Sequence, residues 1–215
     1  FNEDKTELLF TGTGRMPEFL EEGAPWSSSC SRVRTVKISE GITSIGDFAF
    51  SNCEELEKVF LPSTIESIGF DKNTSGTEIP PNVKLTLTCG ESCFATFSNG
   101  VLTIEGSGEM VNFKYSSTPW YSIRKSIKEV RISEGITSIG NYAFSCSSLI
   151  SITIQNSVTT IGYGAFLGCS SLTSVIIPNS VTTIEKCAFY ECSSLITAAL
   201  PKRFESQKDN IFSWG

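Results

Sequence analysis

No histidine occurs among the 215 residues. That absence removes Ser-His-Asp and Cys-His nucleophile activation, together with the commonest metal ligand. Clustered basic residues are missing too. Lys and Arg number 17 against 23 Asp and Glu, for a net charge of −6 and a pI near 4.9, whereas phosphate recognition needs concentrated positive charge. No nucleic-acid partner is expected. No run approaches the roughly 18 apolar residues of a membrane span, and no charged-then-apolar signal opens the chain, so no membrane insertion is expected of this fragment. Phe1 stands where an initiator Met would, which reads as a processed or excised piece. Material for a core is not lacking. Hydrophobic residues make up 40% and charged residues 19%, a balance that argues against disorder.

What the chain has is repetition. Leu149 to Ser171, Leu172 to Ser194 and a third copy opening at Leu195 start 23 residues apart. Each follows Leu-x-x-Ile-x-Ile, with Val175 for the first Ile in the second copy and Ala198 and Leu200 for both in the third, then Val-Thr-Thr-Ile, then Ala-Phe-x-x-Cys-Ser-Ser, except that the third runs out after Pro201. Apolar positions returning once per turn mark a solenoid, in which stacked turns share one continuous core. A longer repetition overlies this one. Ile38-Ser-Glu-Gly-Ile-Thr-Ser-Ile-Gly46 reappears at Ile132 to Gly140, and the same offset of 94 carries Pro25-Trp26 onto Pro119-Trp120 and Phe50 onto Phe144.

The chain therefore reads as a duplicated unit, each copy a leader followed by repeats. Residues 1–69 hold a truncated first cap and about two repeats, 70–88 a linker or irregular junction with Pro80-Pro81, 89–126 a second cap, and 127–215 three to four repeats with a C-terminal tail. In the second leader, Asn99-Gly100 between two apolar runs predicts a β-hairpin, a suitable cover for an open core end. Leu-x-x-Ile-x-Ile predicts a short strand with alternate residues inward. The outward set is Thr35 and Lys37, Lys58 and Phe60, Glu129 and Arg131, Ser151 and Thr153, Ser174 and Ile176, Thr197 and Ala199. Ala-Phe-x-x-Cys is too short for a long helix and predicts a helical or 3₁₀ turn on the opposite side, with Phe50, Phe144, Phe166 and Phe189 stacked as a spine.

Chemistry-bearing motifs are weak. Ser122-Ile-Arg-Lys125 has Ser-x-x-Lys spacing, but no Ser-Asp-Asn or Lys-Thr-Gly accompanies it. Gly12-x-Gly14 and Gly106-x-Gly108 have Pro17 and Val111 where a dinucleotide fingerprint needs its third glycine, and read as turn glycines. Glu21-Glu22 and Glu54-Glu55 read as solvated loop charges in preference to a glycosidase acid pair. Cys53, Cys146, Cys169 and Cys192 share one repeat position and read as a ladder of free thiols, with bridging between adjacent turns the alternative. Cys30, Cys89, Cys93 and Cys187 lie outside it; Cys89 and Cys93 fit a bridge within the cap or, joined by other thiolates, zinc. No metal or cofactor is expected. Asn73-Thr74-Ser75 is a glycosylation sequon in the junction and accords with secretion.

The pattern Leu-x-x-Ile-x-Ile-Pro-x-x-Val-Thr-x-Ile-Gly-x-x-Ala-Phe-x-x-Cys resembles the BspA-like leucine-rich repeats, and Leu172 to Cys192 follows it nearly throughout. The leader from Cys89 to Trp120 is similar to the segment preceding repeats in that family. Departures are Glu185 for Gly, Gln155 for Pro, and a turn one residue short before Cys146. The resemblance implies a leucine-rich-repeat solenoid of the α/β horseshoe class, with short β-strands, helical or 3₁₀ turns on its convex side and β-hairpin caps. It further implies a non-enzymatic cell-surface or secreted protein that adheres to host matrix proteins, such as fibronectin or fibrinogen, or to host cells. On the expected concave sheet, Lys37, Lys58, Phe60, Arg131, Thr153, Ser174, Ile176 and Thr197 are the candidate contacts. Short Ser and Thr side chains on the last turns fit a second expectation, repeats that only space another domain. A glycan-binding module is a third.

Overall fold

A computed structural model describes residues 1–20, 24–50, 52–62, 64–68, 84–145 and 148–212. Cys146, the sequon and most of the expected junction lie outside them. The chain divides into two compact units, Phe1–Thr88 with Thr96–Asn99, and Cys89–Ala95 with Gly100–Gly215.

Apolar residues alternating with polar ones give the first unit its strands: β1 (Glu7–Phe10), β2 (Gly14–Arg15), β3 (Thr35–Ile38), β4 (Ile42–Ile45), β5 (Lys58–Phe60), β6 (Ser67–Ile68) and β7 (Lys84–Thr88). β1, β3, β5 and β7 run parallel in that order, and β2, β4 and β6 form a second parallel ladder. Successive turns thus feed both ladders, which is a β-solenoid. Its core is the in-register row Leu8, Val36, Val59 and Leu85, all buried. Lys84–Thr88, placed in the junction by the sequence, are β7.

One sequence expectation fails here. Cys53 is not a free thiol of the ladder but is bridged to Cys30, with Cα atoms 4.6 Å apart and a sequence separation of 23. Adjacent turns of a stack bring equivalent positions into disulfide range, and the leader supplies a cysteine at the position below. Nearby, the Trp26 Nε1–H donates to the Ala49 carbonyl at 2.7 Å. Gly46 is required where it stands, because a Cβ there would collide with the Pro17 main chain.

β8 (Cys93–Ser98) leads into Asn99-Gly100, both at positive φ (51° and 78°), the turn that the Asn-Gly pair predicts. The second unit continues with β9 (Val101–Gly106), β10 (Gly108–Glu109), β11 (Glu129–Ile132), β12 (Ile136–Ile139), β13 (Ser151–Thr153), β14 (Thr160–Ile161), β15 (Ser174–Ile176), β16 (Thr183–Ile184) and β17 (Thr197–Ala199). β9, β11 and β13 are parallel neighbours, β15 pairs with β17, and β10, β12, β14 and β16 form the second ladder. Cys89 and Cys93 are bridged within the cap, one of the two arrangements their spacing allowed.

The expected spine is present in this unit and longer than foreseen. Trp120, Phe144, Phe166, Phe189 and Phe212 stack in sequence, with centroid separations of 5.8, 5.5, 4.8 and 5.4 Å and interplanar angles of 11–23°. Phe50 belongs to the first unit and is tilted against Phe10 at 6.2 Å. The tail beyond Pro201 is a cap. A 3₁₀ segment (Lys202–Gln207) and α1 (Lys208–Phe212) bury Phe204, Ile211 and Phe212. Asn210 and Ile211 carbonyls accept the Cys187 and Phe189 N–H groups at 2.9 and 3.0 Å. Arg203 donates to the Asn179 and Val181 carbonyls at 2.9 and 3.2 Å, satisfying acceptors that a further turn would otherwise take.

Candidate functional site

Parallel pairing fixes which outward side chains become neighbours, since adjacent strands lie about 4.8 Å apart. In the first unit one outward row is Glu7, Thr35, Lys58 and Lys84, and the next is Leu9, Lys37, Phe60 and Thr86. Leu9 is 55% exposed and Phe60 38%, so two large apolar side chains flank Lys37. The Lys37 ammonium is 2.8 Å from Glu7. Arg34 reaches Glu55 and Glu57 at 3.2 and 3.8 Å. These pairs are exposed and contribute little to stability, but they order the charges on the face.

The second unit presents a different surface. Arg131 is held by Glu129 through two hydrogen bonds of 2.7 and 3.0 Å, and that hydrogen bonding, with the charge attraction, raises the Arg131 pKa above its ordinary value. Thr153, Ser174 and Ile176, the last 73% exposed, line a cleft of about 640 Å³ with Asn156, Pro178 and Asn179. The cleft lies where β13 pairs with β11 and β15 pairs with β17, so that the ladder is not continued from β13 to β15. Thr197 is exposed on β17 outside it. All eight candidate contacts therefore face solvent. Lys37 and Phe60 adjoin one another with Lys58 in the next row, and Thr153, Ser174 and Ile176 share one cleft.

Sequence reasoning missed a row of tyrosines on the turn segments of the second unit. Tyr115 and Tyr142 meet edge to face at 5.7 Å, and Tyr142 and Tyr163 at 5.4 Å; Tyr115 is 63% and Tyr163 40% exposed. A hydrogen bond with Cys187, and that thiol's charge, raise the Tyr163 phenol above its usual pKa. Two thiols of the expected ladder, Cys169 and Cys192, are buried and form no disulfide: the Cys169 Sγ–H donates to the Phe144 carbonyl at 3.0 Å and the Cys192 Sγ–H to the Phe166 carbonyl at 3.2 Å. Hydrogen bonding with Cys169 lowers the Cys192 pKa, against the opposing effect of burial. Among the described residues no three His, Cys, Asp or Glu side chains are grouped to hold a metal ion, and no helix is long and apolar enough to cross a membrane.

Residues 27–117 and 119–214 match the BspA type leucine rich repeat region, in six copies. No curated protein matches the chain. Similar solved structures include a leucine-rich repeat protein from Eubacterium ventriosum, at 20% identity over 92% of this chain and 81% of that one, with a TM-score of 0.35. A leucine rich cell surface protein from Faecalibacterium prausnitzii is 18% identical over 87% of this chain and 64% of that one, at a TM-score of 0.37. The pneumococcal vaccine antigen PcpA is 20% identical over 77% of this chain at a TM-score of 0.37, and only 50% of its length is spanned. With the repeat matched across most of its length and folded as a solenoid, the chain belongs to the BspA type leucine-rich-repeat family.

Proposed function

We propose that this chain is a non-enzymatic module, displayed at a cell surface or secreted, that adheres to a host matrix or cell-surface protein through its strand face. The observation that carries this reading is the in-register row Leu9, Lys37 and Phe60, with Lys58 beside it. Exposed apolar side chains interleaved with Lys on a rigid ladder give a partner both desolvation energy and polar orientation. The residues sit on strands, so their spacing does not change on binding and little ordering entropy is lost.

A spacer role is favoured for the second unit by one observation: its outward positions are mostly Ser151, Thr153, Ser174, Thr197 and Ala199, residue types that rarely form binding hot spots. The test is binding of the intact chain to immobilised fibronectin, immobilised fibrinogen and epithelial cells, with a Lys58→Ala, Phe60→Ala, Arg131→Ala triple variant alongside. Saturable binding is expected, lost in a triple variant whose thermal unfolding is unchanged. A folded wild type that binds none of the three would reject adhesion to these partners and leave the spacer reading.

A further inference from the structure

The buried thiols of Cys169 and Cys192 take no part in the strand face, yet their setting repeats that of a bridged pair. Cys30 and Cys53 are joined at a sequence separation of 23, and Cys169 and Cys192 stand at the same separation. In all four the cysteine N–H donates to the carbonyl three residues earlier, at 3.1 Å for Cys30 and Cys53, 3.2 Å for Cys169 and 3.4 Å for Cys192. Each cysteine carbonyl then accepts an N–H three residues later, from Val33, Leu56, Leu172 and Leu195, at 2.9–3.1 Å. The four cysteines thus sit in one kind of tight turn. Where that turn recurs on adjacent layers of the first unit, the Cα atoms are 4.6 Å apart, within disulfide reach.

In the second unit the two layers are clamped together at this point. The Phe166 and Gly168 N–H groups donate to the Ala188 and Tyr190 carbonyls, both at 2.8 Å. The Phe166 carbonyl accepts both the Cys169 N–H and the Cys192 Sγ–H, each at 3.2 Å, which draws the Cys192 sulfur toward Cys169. Hydrogen bonding with Cys169 also lowers the Cys192 pKa, and this favours Cys192 as the attacking thiolate of the pair. Both side chains are fully buried, so a bond between them is shielded from outside thiols once the layers have closed.

We propose that Cys169 and Cys192 are a dithiol that a small-molecule disulfide oxidises to an inter-turn bridge, the second unit's counterpart of Cys30–Cys53. Local opening of the last turns admits the oxidant. Cys192, its proton lost to water, attacks one sulfur of the oxidant, whose S–S bond breaks as the departing thiolate takes up a proton. Cys169 then loses its proton and attacks the Cys192 sulfur of the mixed disulfide, forming the Cys169–Cys192 bond and expelling the second thiolate. Two electrons pass to the oxidant, which leaves as two small thiols. The bridge ties the layer carrying Phe166 to the layer carrying Phe189.

The experiment incubates the intact chain with oxidised glutathione, once in the folded state and once during refolding from the reduced, urea-unfolded state. After the remaining thiols are blocked, trypsin with chymotrypsin cuts at Phe166, Lys186 and Phe189 and so separates Cys146, Cys169, Cys187 and Cys192 for mass spectrometry. A Cys169–Cys192 linkage is expected in either arm, retained by Cys146→Ser and Cys187→Ser and abolished by Cys169→Ser. Against Cys169→Ser, the bridged chain should show amide exchange at Val175, Val181 and Leu195 slowed by about a hundredfold, the scale for a closed loop of this size. Should Cys169→Ser fail to fold, the linkage mapped in the unsubstituted chain decides. No linkage in both arms, a Cys146–Cys169 or Cys187–Cys192 linkage in its place, a lasting glutathione adduct at Cys192, or a linkage that leaves exchange unchanged would overturn the proposal. Adhesion is read separately on the strand face, so its failure and the failure of this bridge are told apart.

Discussion

The two units carry the same repeat and close its core differently. Each has a leader tryptophan whose Nε1–H donates to the carbonyl of the first Ala-Phe pair, Trp26 to Ala49 at 2.7 Å and Trp120 to Ala143 at 2.8 Å. The surroundings of the two indoles diverge. Both indoles meet a leader phenylalanine edge-on, Trp26 with Phe19 at 5.1 Å and Trp120 with Phe113 at 5.4 Å, but Trp26 also meets Phe10 edge-on at 4.7 Å, whereas at the position equivalent to Phe10 the second copy has Ile104, and Trp120 stacks on Phe144 at 17°. Cys30, bridged to Cys53, is replaced in the second copy by Arg124, whose guanidinium lies 3.8 Å from the Tyr121 ring centroid. A covalent tie between adjacent turns and the edge-on Phe10 mark one unit, and a stack of rings through successive turns marks the other. The repeat period sets the fold, while the means of stabilising each end is left to a few non-repeated residues.

Substitutions in the middle of the stack should separate the units most strongly. Phe166 touches Phe144 and Phe189 at once and is fully buried, so Phe166→Ala should cost about 3–5 kcal/mol in the cavity it leaves. Urea unfolding read with unit-resolved hydrogen exchange should place the loss in residues 100–212, and a cost under about 1 kcal/mol would contradict the spine. The bridge should act on the other unit. Replacing Cys30 and Cys53 by Ser releases a loop closed across 23 residues and should cost about 3 kcal/mol, seen as faster exchange at Val36, Ile45 and Val59. Equal acceleration in the second unit would mean that the bridge does not serve the first unit specifically.

Periodicity made the strands, their inward faces and the central rings of the spine legible, because each depends on side chains that recur at one repeat position. Features lying between repeat positions were not legible. Cys53 shares its place with Cys169 and Cys192, but those thiols bond to the phenylalanine carbonyl of the preceding turn, although Cys169 precedes Cys192 by the same 23 residues that separate Cys30 from Cys53, so the period alone does not tell a bridge from a thiol ladder. Phe212 lies beyond the last repeat, so nothing in the period places it on Phe189. The tyrosine row escaped for the same reason. Tyr142 aligns with Gly164 and Tyr163 with Asn141 in the repeat, and Tyr115 precedes the repeats altogether. Three residues without a shared position form a row only after the chain has coiled.

The finest difference between the units concerns the tryptophan hydrogen bond itself. Trp120 is 2% exposed and its bond to Ala143 is buried, whereas the bond from Trp26 to Ala49 is only partly so. Phenylalanine in place of either indole keeps an aromatic ring but removes the donor. At Trp120 the Ala143 carbonyl then loses its donor where water cannot replace it, a loss of about 1–3 kcal/mol. Trp26 itself is partly exposed, so water can take the place of its N–H once the indole is gone, and the loss should be under about 1 kcal/mol. Chemical denaturation of Trp120→Phe and Trp26→Phe, each monitored in its own unit, measures both. Equal losses would show that the ring packing around Phe10 and Phe144, and not burial of the hydrogen bond, is what distinguishes the two caps.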